Sequence, residues 1–290
     1  MTEQIDRRGV LLAGTASGLG LISWASPASA KAAKSSAETM TQAAAAKAPT
    51  AKAPPRAPPK AFAFDVFGTV VDWRTSIAAT AAPVLAAAGR GDIDAFAFTD
   101  AWRARYSVGM RAFGQSGRHF VKLDVLHREM LDAVLAELSL DLGEADRHRL
   151  VMGWHRLDPW PDSVAGLTRL KQRLPVVTCS NGHVALMVNI ARHAGLPWDA
   201  ILGAEIAQAY KPAPAAYIAT AQALDLAPHD VCLVAAHHGD LAAARAAGLQ
   251  CAFVHRPLEY GGAPAPDLKY EQEWEYRATS LIDLADQLGC

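Results

Sequence analysis

Ala61-Phe62-Ala63-Phe64-Asp65-Val66-Phe67-Gly68-Thr69 is the stretch on which the fold turns. It is apolar at successive positions rather than alternating, as expected of a strand buried on both faces inside a parallel sheet. One carboxylate interrupts it, and Gly68-Thr69 ends it. A strand over 61–67 is therefore expected, with Asp65 near its carboxyl end.

After Trp73 the pattern becomes helical until about Asp158. Apolar side chains recur at Phe96, Trp102, Tyr106, Met110 and Phe113, and again at Leu123, Leu126, Met130, Val134, Leu135 and Leu138. A third helix is expected over 144–155. Beyond Pro159 the chain alternates. Helices are expected at 161–173, 183–193, 214–224 and 241–247. Strands are expected at 175–179, 200–202, 231–235 and 251–254, the last of these closing the sheet. This alternation predicts an α/β fold: a doubly wound parallel sheet, Rossmann-like in its core, with a helical cap inserted after the first strand. The core takes residues 61–73 and 159–290, and the cap takes 74–158.

The first sixty residues read differently. Arg7-Arg8 precedes an apolar run, Val10 to Trp24, that ends at Ala28-Ser29-Ala30, a small-x-small cleavage pattern. The arginine pair resembles a twin-arginine export signal over 1–30. That predicts a periplasmic or secreted protein with no stable membrane span after cleavage. The rival reading is a weakly hydrophobic anchor, but a span needs about 20 apolar residues, and Gly14, Gly18 and Gly20 dilute this one. Residues 31–60, rich in Ala, Lys and Pro, form a spacer with little to bury.

The remaining 230 residues suit about one or two domains. Lys plus Arg total 28 against 29 Asp plus Glu, a net charge of −1, which excludes the basic excess of a nucleic-acid binder. The 51% hydrophobic content excludes a disordered chain. Four cysteines lack CxxC spacing, so neither a zinc module nor a disulfide framework is expected. The export route carries folded proteins, so reduced thiols are the default, a Cys232–Cys251 bridge being the minor alternative.

In parallel sheets ligands gather beyond the carboxyl ends of the strands. Asp65 follows the first strand, Ser180-Asn181-Gly182 the second, Lys211-Pro212 the third and His237-His238-Gly239-Asp240 the fourth. Taken singly, these are also ordinary caps, turns and surface charges. Their coincidence on one sheet edge raises a functional reading.

Together, Phe64-Asp65-Val66-Phe67-Gly68-Thr69, Cys179-Ser180-Asn181-Gly182, Tyr210-Lys211-Pro212 and the 237–240 loop resemble the haloacid dehalogenase superfamily, and most closely its type II 2-haloacid dehalogenases. The resemblance covers residues 61–290. It implies hydrolytic dehalogenation of short 2-haloalkanoic acids through an aspartyl ester, with no cofactor and no metal, and it suggests a homodimer. Asp65 would be the nucleophile and Lys211 would keep it ionised. Asp240 would orient Lys211 and the hydrolytic water, while Thr69 and Ser180 would bind the Asp65 or substrate carboxylate. Backbone N–H groups after Asn181 suit an anion as well. Arg103 would cradle the halide with Asn181 as its partner; Arg105 and Arg111 read as surface residues. Tyr217 is either a pocket residue or a core residue of its helix. Phe67 and Trp73 would form an apolar wall. His237 stands where the group often has Asn, and would hydrogen-bond the ester or water or act as a base; His238 reads as loop.

Two alternatives remain at this point. Phosphatases of the superfamily carry a second Asp where Phe67 stands, to protonate a strongly basic leaving group. They also use a further carboxylate where Ala236 stands, to bind Mg²⁺. Both losses count against a magnesium-dependent phosphatase. The other alternative is a non-catalytic protein that binds a small acid.

Overall fold

The computed structural model describes residues 57–266 and 272–290; the expected export signal and all but the end of the spacer lie outside them. β1 (Ala61–Phe64) is buried at all four positions. β2 (Val71–Asp72) leads into α1 (Trp73–Ala87), whose first turn is capped by Asp72 accepting from the Thr75 N–H at 3.0 Å. Then come α2 (Ala95–Gln115), capped in the same way by Asp94, α3 (Leu123–Glu137) and α4 (Glu144–Gly153). β3 (Asp158–Pro159) pairs antiparallel with β2, so the chain leaves and re-enters the core side by side.

The rest winds through α5 (Ser163–Lys171), β4 (Val176–Thr178), α6 (Val184–Ala194) and α7 (Ala204–Ala207). It continues through α8 (Pro214–Gln222), β5 (Val231–Ala235), α9 (His238–Ala246) and β6 (Gln250–Val254), and ends with β7 (Tyr276–Ala278) and α10 (Leu281–Gln287). The five-stranded sheet has the order β4-β1-β5-β6-β7, with every pair parallel. Phe64 lies opposite both Thr178 and Val234, so β1, β4 and β5 end level and their following loops meet. One apolar cluster runs from Phe62 and Phe64 through Trp73 and Trp102 to Leu126 and Val134, joining sheet and cap helices in a shared core.

Four expectations need correction. The first strand stops at Phe64, and the chain turns sharply as the Val70 N–H donates back to the Val66 carbonyl at 2.9 Å. Residues 200–202 form no strand among the described residues. Single bridges join Val177 to Ala200 and Ser180 to Gly203, whose φ of 127° is closed to an ordinary side chain, so extended pairing ends there. The last of the predicted helices begins at His238 rather than Leu241. The sheet does not close at β6, because β7 extends it. The sequence signal for β7 is weak: it is an edge strand with an exposed arginine at its centre. All four cysteines are free thiols.

Candidate active site

Asp65 follows β1 directly and is 7% exposed. Its Oδ1 accepts from Lys211 Nζ at 2.9 Å. Its Oδ2 accepts from Thr69 Oγ1 at 2.8 Å and lies 3.2 Å from His237 Nδ1. The Ala236 N–H donates to Thr69 Oγ1 at 2.9 Å, which commits the hydroxyl proton to Asp65. Burial opposes ionisation of Asp65, but Lys211 and His237 outweigh it and hold the carboxyl far below its usual range.

Lys211 is also held. Burial would lower its pKa, yet Asp240 and Asp65 raise it well above the usual lysine value. Asp240 meets Lys211 Nζ at 2.5 Å through one oxygen and accepts from Tyr217 Oη at 2.6 Å through the other. Both Asp240 oxygens are thus engaged, and burial raises its pKa. Tyr217 is fully buried and also stands in the cavity wall.

His237 joins two acids. Its Nε2 lies 3.0 Å from each oxygen of Glu259, a carboxylate 2% exposed. Burial lowers the imidazole pKa, but Glu259 and Asp65 raise it to about 10, so His237 is a cation at neutral pH. Trp73 Nε1 donates to Glu259 Oε1 at 3.0 Å. Gly68 makes this carboxylate's seat possible: its φ is +81°, and a Cβ there would overlap the Glu259 carboxylate.

A cavity of about 410 Å³ opens beside Asp65, with Phe67, Arg103, Asn181, Lys211, Tyr217 and His237 in its wall. The Arg103 guanidinium lies 4.3 Å over the Tyr106 ring and 5.4 Å from the Trp73 ring centre. Its Nε is buried without a hydrogen-bond partner. Arg105, by contrast, pairs with Glu137 on the cap surface.

The structure redirects two of the expected residues. Asn181 lines the cavity, but its amide donates to Tyr106 Oη at 2.9 Å and its Oδ1 accepts from the Lys211 N–H at 2.7 Å. It meets Arg103 through the tyrosine rather than by a bond of its own. Ser180 is fully buried, and its hydroxyl accepts from the Gly182 N–H at 3.1 Å rather than bonding Asp65; its own proton is not spent in that bond. Lys211 arrives from the α7–α8 connection, since no strand precedes it. His238 opens α9, stacked 4.4 Å from Phe253 and accepting from Trp274 Nε1.

A family model of haloacid dehalogenase-like hydrolases matches residues 59–248, the segment that carries Asp65, Lys211 and Asp240. The chain belongs to that family. Its similarity is to the L-2-haloacid dehalogenase group. A defluorinating L-2-haloacid dehalogenase of known structure is 47% identical, with a TM-score of 0.76, covering 80% of this chain and 96% of that one. A second solved L-2-haloacid dehalogenase is 44% identical, with a TM-score of 0.73, covering 80% and 99%. (S)-2-haloacid dehalogenase 1 of Pseudomonas sp. (strain CBS-3) is 28% identical, covering 71% of this chain and 90% of that protein.

Four wall or support residues of this dehalogenase-family site were not marked as functional in the sequence. Tyr106 reads as part of an apolar helix stripe, Trp154 falls inside the third expected helix, and His127 lies off the apolar stripe of its helix. His127 lies against Trp154 at 4.3 Å, and burial lowers its pKa to about 3, so it is neutral. Glu259 carries no motif. It lies in the loop beyond β6, a further strand end to which the same reasoning applies.

Proposed function

We propose that this chain hydrolyses the carbon–halogen bond of short 2-haloalkanoates, with Asp65 as nucleophile. The observation that carries the reading is a buried carboxylate kept ionised by Lys211 and His237, facing a small cavity that also holds the Arg103 cation. One oxygen of Asp65 attacks the carbon next to the substrate carboxylate. The C–O bond forms, the C–X bond breaks, and halide leaves with the electron pair. Arg103 is the cation available to that departing anion. Phe67 helps keep the first step dry and offers no proton, which a weakly basic halide does not need.

Ester formation consumes the Asp65 charge, and with it one of the two anions that make His237 basic. His237 then releases its Nδ1 proton to solvent, the one proton that the overall hydrolysis yields, while Glu259 retains the Nε2–H, leaving Nδ1 free to act as base. Water attacks the Asp65 carbonyl carbon and gives one proton to Nδ1. Its second proton goes to the departing alkoxide, which regenerates imidazolium and carboxylate. Asp240, engaged at both oxygens, holds Lys211 in place.

Magnesium does not fit this arrangement. Phe67 and Ala236 stand where further oxygen ligands would be needed, and both Asp65 oxygens face cationic groups. That argues against the phosphatase reading. The deciding assay is ion chromatography of released halide over 2-chloro-, 2-bromo- and 2-fluoroalkanoates with EDTA present. The fluoro compounds belong in the panel because a 47% identical relative is a defluorinating enzyme. In heavy-oxygen water a single turnover with excess enzyme should label Asp65 and leave the hydroxy acid unlabelled. Undiminished halide release by Asp65→Ala would end the proposal. We also propose export, tested by fractionation and by a mature N-terminus near Lys31.

A further inference from the structure

At the seam between cap and core, three side chains converge that the proposed reaction does not use. Asp124 lies in the first turn of α3, His155 follows α4, and His183 immediately precedes α6. Nε2 of His155 is 3.1 Å from each Asp124 carboxylate oxygen, and Nε2 of His183 is 3.5 Å from Oδ2. One nitrogen or oxygen from each of the three lies within 4.8 Å of the others. Both imidazoles are buried, while the Asp124 side chain is 29% exposed, so an ion has a route in from solvent.

The spacing is that of a chelate. Two donors bound to one tetrahedral zinc at about 2.0–2.1 Å stand about 3.3–3.4 Å apart. The 3.1 and 3.5 Å edges from the histidines to Asp124 bracket that value, and the edge between the histidines is within 4.8 Å. Asn189 Nδ2 lies 2.9 Å from His155 Nδ1, which leaves the ring proton on Nε2; ligation there moves the proton to Nδ1, and a turned Asn189 amide then accepts it through Oδ1, the kind of support that fixes a ligating imidazole. His183 is under-satisfied: its Nδ1 is buried without a partner, and its Nε2 has only the long Asp124 contact. A metal bond at Nε2 would compensate that ring. The other charged neighbours are Glu205, which accepts from the Val184 N–H, and Lys122, 3.9 Å from Glu205.

We propose that Asp124, His155 and His183 form a two-histidine, one-carboxylate site for a divalent transition-metal ion of the zinc class, water completing the set. Imidazole nitrogens favour such ions over magnesium or calcium. Its role is to tie the cap to the core. Each ligand neighbours a wall residue of the active cavity: Asp124 is one turn from His127, His155 follows Trp154, and His183 is two residues from Asn181. None of the three lines the cavity itself, so the ion steadies the wall without entering the chemistry.

The test uses untagged full-length protein stripped with EDTA. Titration with zinc chloride should give about one ion per chain, with Kd at or below about 10 µM, and raise the melting temperature. Asp124→Asn and His155→Gln should each weaken binding about tenfold or more while leaving halide release in EDTA unchanged. Cobalt(II) added to the unaltered protein provides a check that does not depend on a variant folding: intense visible bands of a four-coordinate ion are expected. Absence of zinc binding, stoichiometry and affinity unchanged in both variants, or a pale octahedral cobalt spectrum would each overturn the proposal.

Discussion

Both carboxylate oxygens of Glu259 stand 3.0 Å from Nε2 of His237, while Nδ1 of the same ring faces Asp65 at 3.2 Å. The imidazole therefore bridges the nucleophile and a second buried acid, and the charge on one end governs proton affinity at the other. Glu259→Gln removes the anion that keeps the proton on Nε2. Halide release in the first turnover should change little, whereas steady-state kcat should fall about 10²-fold or more, the usual scale for losing general-base assistance. Intact-mass spectrometry during turnover should then find the enzyme carrying the substrate's carboxyalkyl group as an ester on Asp65. A steady-state rate equal to wild type would remove Glu259 and His237 from the hydrolytic step.

Lys211 sits between two carboxylates, Asp65 and Asp240, and shares the neutralisation of Asp65 with His237. Lys211→Met leaves Asp240 buried without a cation and Asp65 with His237 alone, a loss that costs about 3–5 kcal/mol in comparable settings. We expect a lower urea midpoint together with loss of activity. Asp65→Asn should retain more stability than Lys211→Met while being equally inactive, because it removes an ionised group rather than a partner.

Arg103→Met tests the halide cradle. Its guanidinium lies over two aromatic rings, so methionine keeps much of the packing and loses only the charge. Loss of a donor aimed at developing charge is worth about 10²–10³ in kcat. The fall should be seen in kcat and kcat/KM alike if the contact matters only as halide departs. A rise in KM alone would assign Arg103 to the substrate carboxylate instead.

The pH dependence follows from His237 and Asp65. Raised from 6.5 to about 10, His237 contributes stability that is complete below pH 6.5 and is lost as pH rises through about 10. Asp65 is depressed, so its contribution is present above its ordinary pKa of 3.8 and is lost only as pH falls through its much lower folded value. Chemical denaturation from pH 6 to 11 should give falling stability toward the alkaline end. His237→Ala should flatten that slope.

Much of this site was legible because strand ends in a parallel sheet are where polar residues must be explained. Asp65, Lys211 and Asp240 each sit in a short motif, and the level ends of β1, β4 and β5 bring the loops together. Glu259 was not legible, since a single acid in a Pro-Leu-Glu-Tyr turn looks like any solvated loop residue. Its burial depends on Gly68, nearly two hundred residues earlier, leaving space for a carboxylate. For Ser180, spacing placed the hydroxyl beside the site but could not show that its oxygen accepts from the Gly182 N–H of its own loop. The same holds for Asn181, which engages Tyr106 across the cap rather than Arg103.

Periodicity and strand-end chemistry were local properties, and so the sequence by itself determined the α/β order, the inserted helices and the choice of Asp65 and Lys211 as candidate site residues. Which groups share a proton, which cation is left for the halide and which histidines meet an aspartate across the cap seam depend on side chains far apart along the chain. Those are tertiary decisions. Hydrogen bonds and ion pairs act over about 3–4 Å, and only the packed cap and sheet bring such groups within that distance.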